Sequence, residues 1–444
     1  MANKQDLKIR SHAAPRKKKD ARPAAVPPPV QQSPAPPAYT YREPPREAPE
    51  ADAPILQEVP PKKRRRSGRS LIWMVFSRLV LVGVLLTGGY LLRQNWEKIA
   101  PDSLVIWVEE KLSGGAGGEG YPVSVAGGGV LHMSEIEGNL ALLSDTSFTI
   151  LNSRGGEAVR RPHTFSAPIL KTAGKYAVLA ETGSTRLSLE TRAQTLWSVT
   201  LEHPIISADV SRNGTTAVIT SGGQSYNAEI VVFDKKGKEI YRRSRKRQAV
   251  DVAVSPGGDR VAIASIAAEN GAIKSYLEIF TFAADKDAAF THEASGILLA
   301  AVDYLAGGQT VAVGDTALWI ADEKTGALKQ TDFGGQQLLG YAPGDDRVAL
   351  VTQAYGATDG CRLLAVTADG ATAYTADIRE AYRHVAADKN GVYLLTGSAV
   401  HVFGAAAETG VLEVPSDGRL IGTLGDKIMV LGLTTLRQYD RPAA

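Results

Sequence analysis

The sequence predicts an all-β protein, a β-propeller of eight blades that follows one transmembrane helix and a disordered tail. Three observations lead to this fold class. A turn glycine followed by a short apolar strand recurs eight times after residue 121, one apolar run of 22 residues can cross a bilayer, and the composition changes near residue 69. We therefore divide the chain into four predicted parts: a cytoplasmic tail (1–69), a transmembrane helix (70–93), a juxtamembrane segment (94–120) and a propeller (121–440).

The tail is set apart by its composition. Residues 1–69 hold 14 of the 23 prolines and one of the 44 glycines, and they carry a net charge of +9, whereas the rest of the chain carries −6. A proline-rich segment with few large apolar side chains is predicted to be disordered. The basic cluster at residues 62–66 resembles a nuclear-import or nucleic-acid-binding sequence, but its position just before the apolar run favours a cytoplasmic flank of a membrane helix. No nucleic acid is expected as a partner.

The apolar run covers residues 71–92 and contains one charge, Arg78. At about 1.5 Å per residue it spans ~33 Å, enough for the hydrocarbon core of a bilayer. Arg78 could extend to the headgroups or pair with a membrane-buried partner. The long preceding tail favours an uncleaved anchor over a signal peptide. We expect a single-pass protein of the cell membrane with a cytoplasmic N-terminus, followed by an amphipathic helix at residues 101–112, a glycine-rich linker and an extracytoplasmic ectodomain.

The repeat predicts the propeller. Its turn glycines are spaced by about 41 residues on average, which is typical of a four-stranded blade, and they are Gly138, Gly174, Gly214, Gly258, Gly308, Gly344, Gly391 and Gly425. The last unit has three strands, and residues 122–126 are predicted to supply the fourth and close the ring. Seven blades and an open array of sheets are the alternatives.

Two units carry a resemblance to known repeats. The stretches SRNGTTAVIT and SPGGDRVAIA resemble WD40- and TolB-like propeller repeats, although the Trp-Asp dipeptides are absent. The layout from residue 70 to 440 also resembles an uncharacterised family of bacterial single-pass membrane proteins with propeller ectodomains, through PDSLVIWVEEKL, GYPVSV, NLALLSDTSFTILNS and DVAVSPGGDRVAIAS. This resemblance implies a fold and a location, and it supplies no activity.

No catalytic, metal or cofactor site is predicted, and we do not expect an enzyme. The seven histidines are isolated, and we find neither the motif of a nucleophilic serine nor charged residues that converge. Cys361 is the single cysteine, so it cannot form an internal disulfide, and it is predicted to be a buried thiol. The sequence Asn213-Gly214-Thr215 matches the consensus for N-linked glycosylation, but we predict that it forms a tight hairpin turn.

Two features are candidates for a binding face. The predicted loops between second and third strands (221–228, 265–275 and 352–360) should lie on the same face as the blade-to-blade connections. Three tyrosines lie in or next to these loops: Tyr226, Tyr276 and Tyr355. A basic run between units three and four is either a solvated outer edge or an anion-binding patch, and it consists of Arg242, Arg243, Arg245, Lys246 and Arg247.

Two functions remain open from the sequence. The first is a non-enzymatic, membrane-anchored scaffold that binds an envelope protein. The alternative is an extracytoplasmic sensor or binding protein for a saccharide or an anionic envelope polymer. A pocket with converging carboxylates or aromatic rings would favour the alternative, whereas a flat apolar surface would favour the scaffold.

Overall fold

The computed structural model describes residues 117–125, 129–283, 288–354, 356 and 359–442. The predicted tail, the predicted transmembrane helix at 70–93, the predicted amphipathic helix at 101–112 and Tyr355 lie outside the described residues. Across the described part, no helix has the length and apolar character needed to cross a membrane. The 32 strands within it form eight antiparallel sheets of four strands each.

The first four blades follow one another along the chain. Strand β1 (Val123–Ser124) belongs to the last blade of the ring. Blade 1 contains β2 (Val130–Ile136), β3 (Asn139–Ser144), β4 (Ser147–Leu151) and β5 (Glu157–Pro162). Blade 2 contains β6 (Pro168–Ala173), β7 (Tyr176–Glu181), β8 (Arg186–Glu190) and β9 (Thr195–Thr200). Blade 3 contains β10 (Ile205–Val210), β11 (Thr216–Ser221), β12 (Ala228–Phe233) and β13 (Glu239–Arg245). Blade 4 contains β14 (Gln248–Val254), β15 (Arg260–Glu269), β16 (Ala272–Thr281) and β17 (Phe290–Ser295).

The remaining blades repeat this order. Blade 5 contains β18 (Leu299–Tyr304), β19 (Thr310–Gly314), β20 (Ala317–Asp322) and β21 (Ala327–Asp332). Blade 6 contains β22 (Leu338–Pro343), β23 (Arg347–Gln353), β24 (Cys361–Thr367) and β25 (Thr372–Ile378). Blade 7 contains β26 (His384–Asp388), β27 (Gly391–Leu395), β28 (Ala399–Phe403) and β29 (Glu408–Glu413). Blade 8 contains β30 (Leu420–Leu424), β31 (Lys427–Leu431), β32 (Thr435–Asp440) and β1.

The two ends of the propeller complete one blade. Val123 of β1 pairs with Leu436 of β32, and Ser124 pairs with Thr435. On the inner side of the ring, β30 of blade 8 lies next to β2 of blade 1. The eight-bladed closure and the closing strand predicted from the sequence are therefore confirmed. Closure also gives the last sheet the outer strand that would otherwise be missing.

Burial explains the strand sequences. Every residue of the second strands β3, β19 and β27 is buried, because each of these strands is covered by neighbouring blades on both faces. The core clusters accordingly lie between blades; one of them joins blades 4 and 5 around Trp319. The outer strands β9, β21 and β29 contain no buried residue, as expected for the rim of the ring.

Most of the predicted turn glycines have a conformation that favours glycine. Six of the eight have a positive φ, and they are Gly138, Gly174, Gly214, Gly258, Gly308 and Gly425. At Gly214 (φ 86°) a Cβ would also lie 2.8 Å from Cβ of Lys235. Gly391 is needed for a different reason, since a Cβ there would lie 2.1 Å from the carbonyl oxygen of Phe403.

One predicted loop is wrong. Residues 265–275 do not form a loop, because β15 and β16 continue for ten residues each and meet at a tight turn. Asn270 and Gly271 both have positive φ (52° and 80°), and an Asn-Gly pair in this conformation connects two strands directly. The hairpin extends beyond its neighbours, since β14 begins opposite Ile266 and β17 ends opposite Lys274.

The ring has two faces, which we name by their connections. The turn face carries the links between first and second strands and between third and fourth strands, such as residues 211–215 and 234–238. The loop face carries the links between second and third strands and between blades, such as residues 222–227 and 246–247. The β15–β16 hairpin projects from the loop face.

Candidate functional site: a charged central channel

The inner strands enclose a cavity of about 730 Å³, which we call the channel. It extends along the inner strands to the turn face, where Arg212, Pro256, Ala306 and Asp345 line it. Cavities of about 300–1,000 Å³ are typical of small-molecule sites. The channel is therefore large enough for a ligand.

Seven of the eight inner strands bring a titratable side chain to the middle of the ring. In blade order these residues are His132, Lys171, Asp209, Asp251, Asp303, Tyr341 and His384. Six of them line the channel, and Asp251 lies within electrostatic range of Lys171. The inner strand of blade 8 contributes Gly422 instead.

Asp209, Asp251 and Asp303 form what we call the acidic arc. The backbone N–H of Val254 donates to Oδ2 of Asp209 (2.7 Å), and that of Val302 donates to Oδ2 of Asp251 (2.9 Å). In both cases the N–H belongs to the inner strand of the following blade. Inner strands of adjacent blades share no ladder of backbone hydrogen bonds, so their edge N–H groups need side-chain acceptors. The arc thus joins blades and is held in place at the same time.

Lys171 crosses the channel. Its Nζ lies 3.7 Å from Oδ2 of Asp303, although the two residues belong to blades 2 and 5, and the side chains are 35% and 27% exposed. The Asp303 carboxylate is the main cause that raises the pKa of Lys171 above its ordinary value, against the effect of burial. Lys171 is therefore a cation that spans the ring.

The carboxyl groups beside Lys171 have perturbed acidity. Burial raises the pKa of Asp209 to about 7, although the Lys171 ammonium acts in the opposite direction. Burial also raises the pKa of Asp251, again against the effect of Lys171. Like charges held close together and away from bulk water resist full ionisation. Perturbed carboxyl groups in a cleft are typical of functional sites.

The opposite side of the channel carries two histidines. The ring Nε2–H of His132 donates to the carbonyl oxygen of Pro168 (3.2 Å), and the N–H of Ile421 donates to Nδ1 of His384 (3.4 Å). Burial lowers the pKa of both rings below the ordinary value of 6.5, so both are neutral at pH 7. The channel therefore has an acidic side on blades 3–5 and a neutral imidazole side on blades 1 and 7.

The residues predicted from the sequence lie elsewhere. Tyr226 is partly exposed on the loop face, where its hydroxyl lies 3.3 Å from Nε2 of His203. Tyr276 is fully buried, so its expected place on a binding surface is wrong. Its ring is covered by the guanidinium of Arg247, which lies 3.6 Å from the ring centroid.

The basic run is largely paired with carboxylates. Arg242 binds Glu229 and Glu239 at 2.5 and 2.7 Å. Arg245 and Arg247 both bind Glu278, whose side chain is 2% exposed. Arg243 lies over the ring of Phe280, and Lys246 is exposed. Anion binding by the run stays a prediction, but most of its cations already have partners within the fold.

Sequence reasoning missed the channel cluster. The expectation that no charged residues converge is wrong, because the propeller brings inner strands from distant repeats into one ring. A signal was present: Asp209 and Asp303 each interrupt an apolar inner strand five residues before a turn glycine. An isolated carboxylate in a buried strand needs partners, and its recurrence indicates a shared environment.

Two smaller sites have structural roles. Cys361 is buried, as predicted, and burial raises the pKa of its thiol to about 11. The side chain of Asn213 donates from Nδ2 to the carbonyl oxygen of Gly257 (2.9 Å), which links the turns of blades 3 and 4. Among the described residues, no three His, Cys, Asp or Glu side chains are grouped closely enough to hold a metal ion.

Fold and channel together define an eight-bladed β-propeller with a charged axial cavity. The chain belongs to a family of unknown function, DUF5711, whose sequence model matches residues 125–408. No functionally curated protein matches the chain.

Two solved structures are similar to the chain. Sqt1 from Saccharomyces cerevisiae is similar at 10% identity and a TM-score of 0.53, over 72% of this chain and 98% of that one. BamB from Moraxella catarrhalis is similar at 12% identity and a TM-score of 0.48, over 72% of this chain and 100% of that one. At these identities the likeness to Sqt1 concerns the fold alone.

Proposed function

We propose that the chain is a non-enzymatic, membrane-anchored binding protein of the cell envelope, and that its channel holds a small ligand. One observation carries this proposal: titratable side chains from separate blades meet at a cavity of about 730 Å³. Converging carboxylates in a pocket are the feature that favours a ligand-binding protein over a scaffold. An anionic polymer does not suit this channel, because the acidic arc would repel it.

The carboxylates that would bind the ligand are held in fixed positions. Asp251 accepts hydrogen bonds from the hydroxyl of Ser207 (2.6 Å) and from the backbone of Val302. Asp209 is likewise held by Val254. Groups fixed in this manner present a rigid set of acceptors to a ligand.

A ligand screen on the full-length protein in detergent tests the proposal. A ligand at 100 times its Kd should stabilise the fold by about 2.7 kcal/mol, which raises the unfolding temperature. Asp303→Asn should change the affinity for every channel ligand. Asp377→Asn is the matched control, because Asp377 lies on the outer strand β25 and pairs with Arg362 at 2.6 Å. Equal effects of the two substitutions would place the ligand outside the channel.

The membrane anchor is a separate part of the proposal. It is supported by the apolar run at 71–92 and by the charge difference between the tail (+9) and the rest of the chain (−6). Protease added to protoplasts should digest the propeller and spare an epitope placed in the tail. Digestion of the tail with a protected propeller would reverse the orientation.

A protein-binding scaffold is the second candidate, favoured by the loop face. Three large apolar side chains are exposed there: Ile273 (59%), Leu298 (44%) and Leu433 (68%). Ile273 lies near the tip of the projecting β15–β16 hairpin. A photo-crosslinking residue at position 273 should capture an envelope protein, whereas the same residue at Lys236, exposed on the turn face, should not. Equal capture at both positions would contradict a specific docking face.

A further inference from the structure

We propose that the ligand of the channel is a linear alkylammonium compound, which binds the acidic arc in place of the ammonium of Lys171. This inference rests on the proposed function above. The channel already holds a cation of this kind, supplied by the chain itself. Lys171 reaches from blade 2 toward blade 5 and places its Nζ 3.7 Å from Oδ2 of Asp303.

The internal ammonium is held by charge rather than by hydrogen bonds. A distance of 3.7 Å exceeds the 2.7–3.2 Å of an N–H···O hydrogen bond. Within the described part of the chain, Nζ of Lys171 makes no hydrogen bond; its other electrostatic neighbours are Asp209, Asp251 and Tyr341. An ammonium has three donors. A ligand that supplied these donors at closer range would therefore make contacts that Lys171 does not make.

The acceptors are in place before a ligand arrives. Oδ1 of Asp303 accepts from the N–H of Tyr304 (2.8 Å), which leaves Oδ2 directed to the cation. Asp209 accepts the backbone N–H of Val254 through Oδ2, and this hydrogen bond does not use Oδ1. A carboxylate has about four acceptor positions, so each member of the arc can bind a further donor. Exchange of one ammonium for another needs no rearrangement of these groups.

Charge and shape set the ligand class. Asp303 balances the charge of Lys171, so Asp209 and Asp251 leave the arc with a partial net negative charge at pH 7.5. The channel lining adds Glu135, Asp345 and Asp388 against Arg212, so an anion is disfavoured. A metal ion is not indicated, since the described residues contain no group of three suitable ligands. The Lys171 side chain itself shows that a straight alkyl chain ending in an ammonium fits this space. The imidazoles of His132 and His384 face the rest of the ligand as neutral polar groups.

Three five-carbon probes test the inference: 1,5-diaminopentane, 1,5-pentanediol and glutarate. Titration calorimetry is performed on the full-length protein in detergent at pH 7.5, with the wild type, Lys171→Met, Asp303→Asn and the control Asp377→Asn. The diamine should bind the wild type, and the diol and glutarate should not. Lys171→Met removes the internal competitor and should tighten diamine binding about tenfold, while Asp303→Asn should weaken it about tenfold, the size expected for one close charge pair.

The outcomes separate this inference from the proposed function. Binding of the diamine that is equal in Asp303→Asn and Asp377→Asn overturns the inference. Binding of glutarate or of the diol, lost on His384→Gln, also overturns it but leaves a ligand-binding channel in place. If Lys171→Met does not fold, the comparison of diamine binding between Asp303→Asn and Asp377→Asn tests the inference by itself. Absence of diamine binding to both the wild type and Lys171→Met rejects the alkylammonium class.

Discussion

Lys171 and Asp303 form an ion pair across the axis of the ring, with Nζ and Oδ2 3.7 Å apart on blades 2 and 5. The pair links two parts of the propeller that share no sheet. Because two further aspartates lie within electrostatic range of the same ammonium, the pair cannot be considered alone. Its neighbours decide how the channel responds to pH, to substitution and to a competing cation.

The first prediction concerns Asp209. Burial raises the pKa of its carboxyl from 3.8 to about 7, so the folded state binds this proton more tightly than the unfolded state. The stability linked to this proton is present below pH ~4 and is lost as the pH rises to about 7. Asp209→Asn resembles the protonated form. We expect it to match the wild type near pH 4 and to be more stable at pH 8 by ~1–2 kcal/mol, a value reduced for partial exposure of the site.

Urea unfolding of the wild type and Asp209→Asn at pH 4 and pH 8 measures this difference. Asp377→Asn serves as the control. Because Arg362 lowers the pKa of Asp377, this substitution should make the protein less stable than the wild type at pH 8, not more stable. If the stability difference between Asp209→Asn and the wild type is the same at both pH values, the pKa of Asp209 is not raised in the folded state.

The second prediction concerns His384. Burial lowers the pKa of its ring below 6.5, so the unfolded chain binds this proton more tightly than the folded chain. The corresponding stability is present above pH 6.5 and is lost as the pH falls through the lowered pKa. His384→Gln should therefore lose less stability than the wild type between pH 7 and pH 5. NMR titration of a histidine-labelled protein checks the cause, and a midpoint for His384 at or above 6.5 would contradict it.

Local patterns made the fold predictable. Each turn glycine and the apolar strand after it lie within ten residues of one another, and the spacing of about 41 residues identifies a blade. The missing strand of the last unit and the spare one at Val123 indicated closure, which β1 and β32 confirm. The β15–β16 hairpin was missed because the polar residues around Asn270 resembled a loop, although its Asn-Gly pair is typical of a tight turn.

The channel could not be read from the sequence in the same way. Lys171 resembles any lysine in a half-buried strand, and nothing near it in the sequence identifies Asp303 as its partner. Contact between them depends on the number of blades, which sets which inner strands face each other. The ion pairs of Arg245 and Arg247 depend similarly on a neighbouring blade, since Glu278 belongs to β16. Interactions between blades could be identified only from the structure of the closed ring.

The third prediction concerns Glu278, which is 2% exposed and binds both Arg245 and Arg247. Replacing these two arginines with serine leaves a buried carboxylate without its counter-charges, and we expect a loss of ~2–4 kcal/mol in unfolding free energy. Arg242 also binds a largely buried carboxylate, Glu229, whose side chain is 9% exposed, so its replacement should be destabilising as well, whereas replacing the exposed Lys246 should cost about 0–1 kcal/mol. Neutralising all five at once would therefore confound an anion-binding test with loss of stability.

A second substitution checks the physical reason. Adding Glu278→Gln to the double serine variant removes the unpaired charge and should restore part of the lost stability. Urea unfolding of the single, double and triple variants gives the coupling energy directly. If the double serine variant is as stable as the wild type, Glu278 does not depend on these arginines, and the full neutralisation becomes a valid test of the anion patch.

The last prediction concerns the closing strand. Only Val123 and Ser124 of β1 pair with β32, yet Tyr121 and Val125 also pack on the core cluster between blades 8 and 1. A chain that begins at residue 129 lacks all four residues, so the edge of β32 becomes free to pair with another molecule. A chain that begins at residue 118 keeps them. We expect the shorter chain to unfold at a lower temperature and to aggregate, and the longer one to remain monomeric in size-exclusion chromatography.

A peptide of residues 117–128 added to the shorter chain should bind the free edge of β32 and raise the unfolding temperature, because it restores the missing pairs. Identical behaviour of the two chains would mean that blade 8 is stable with three strands and that the pairing of β1 with β32 adds no measurable stability.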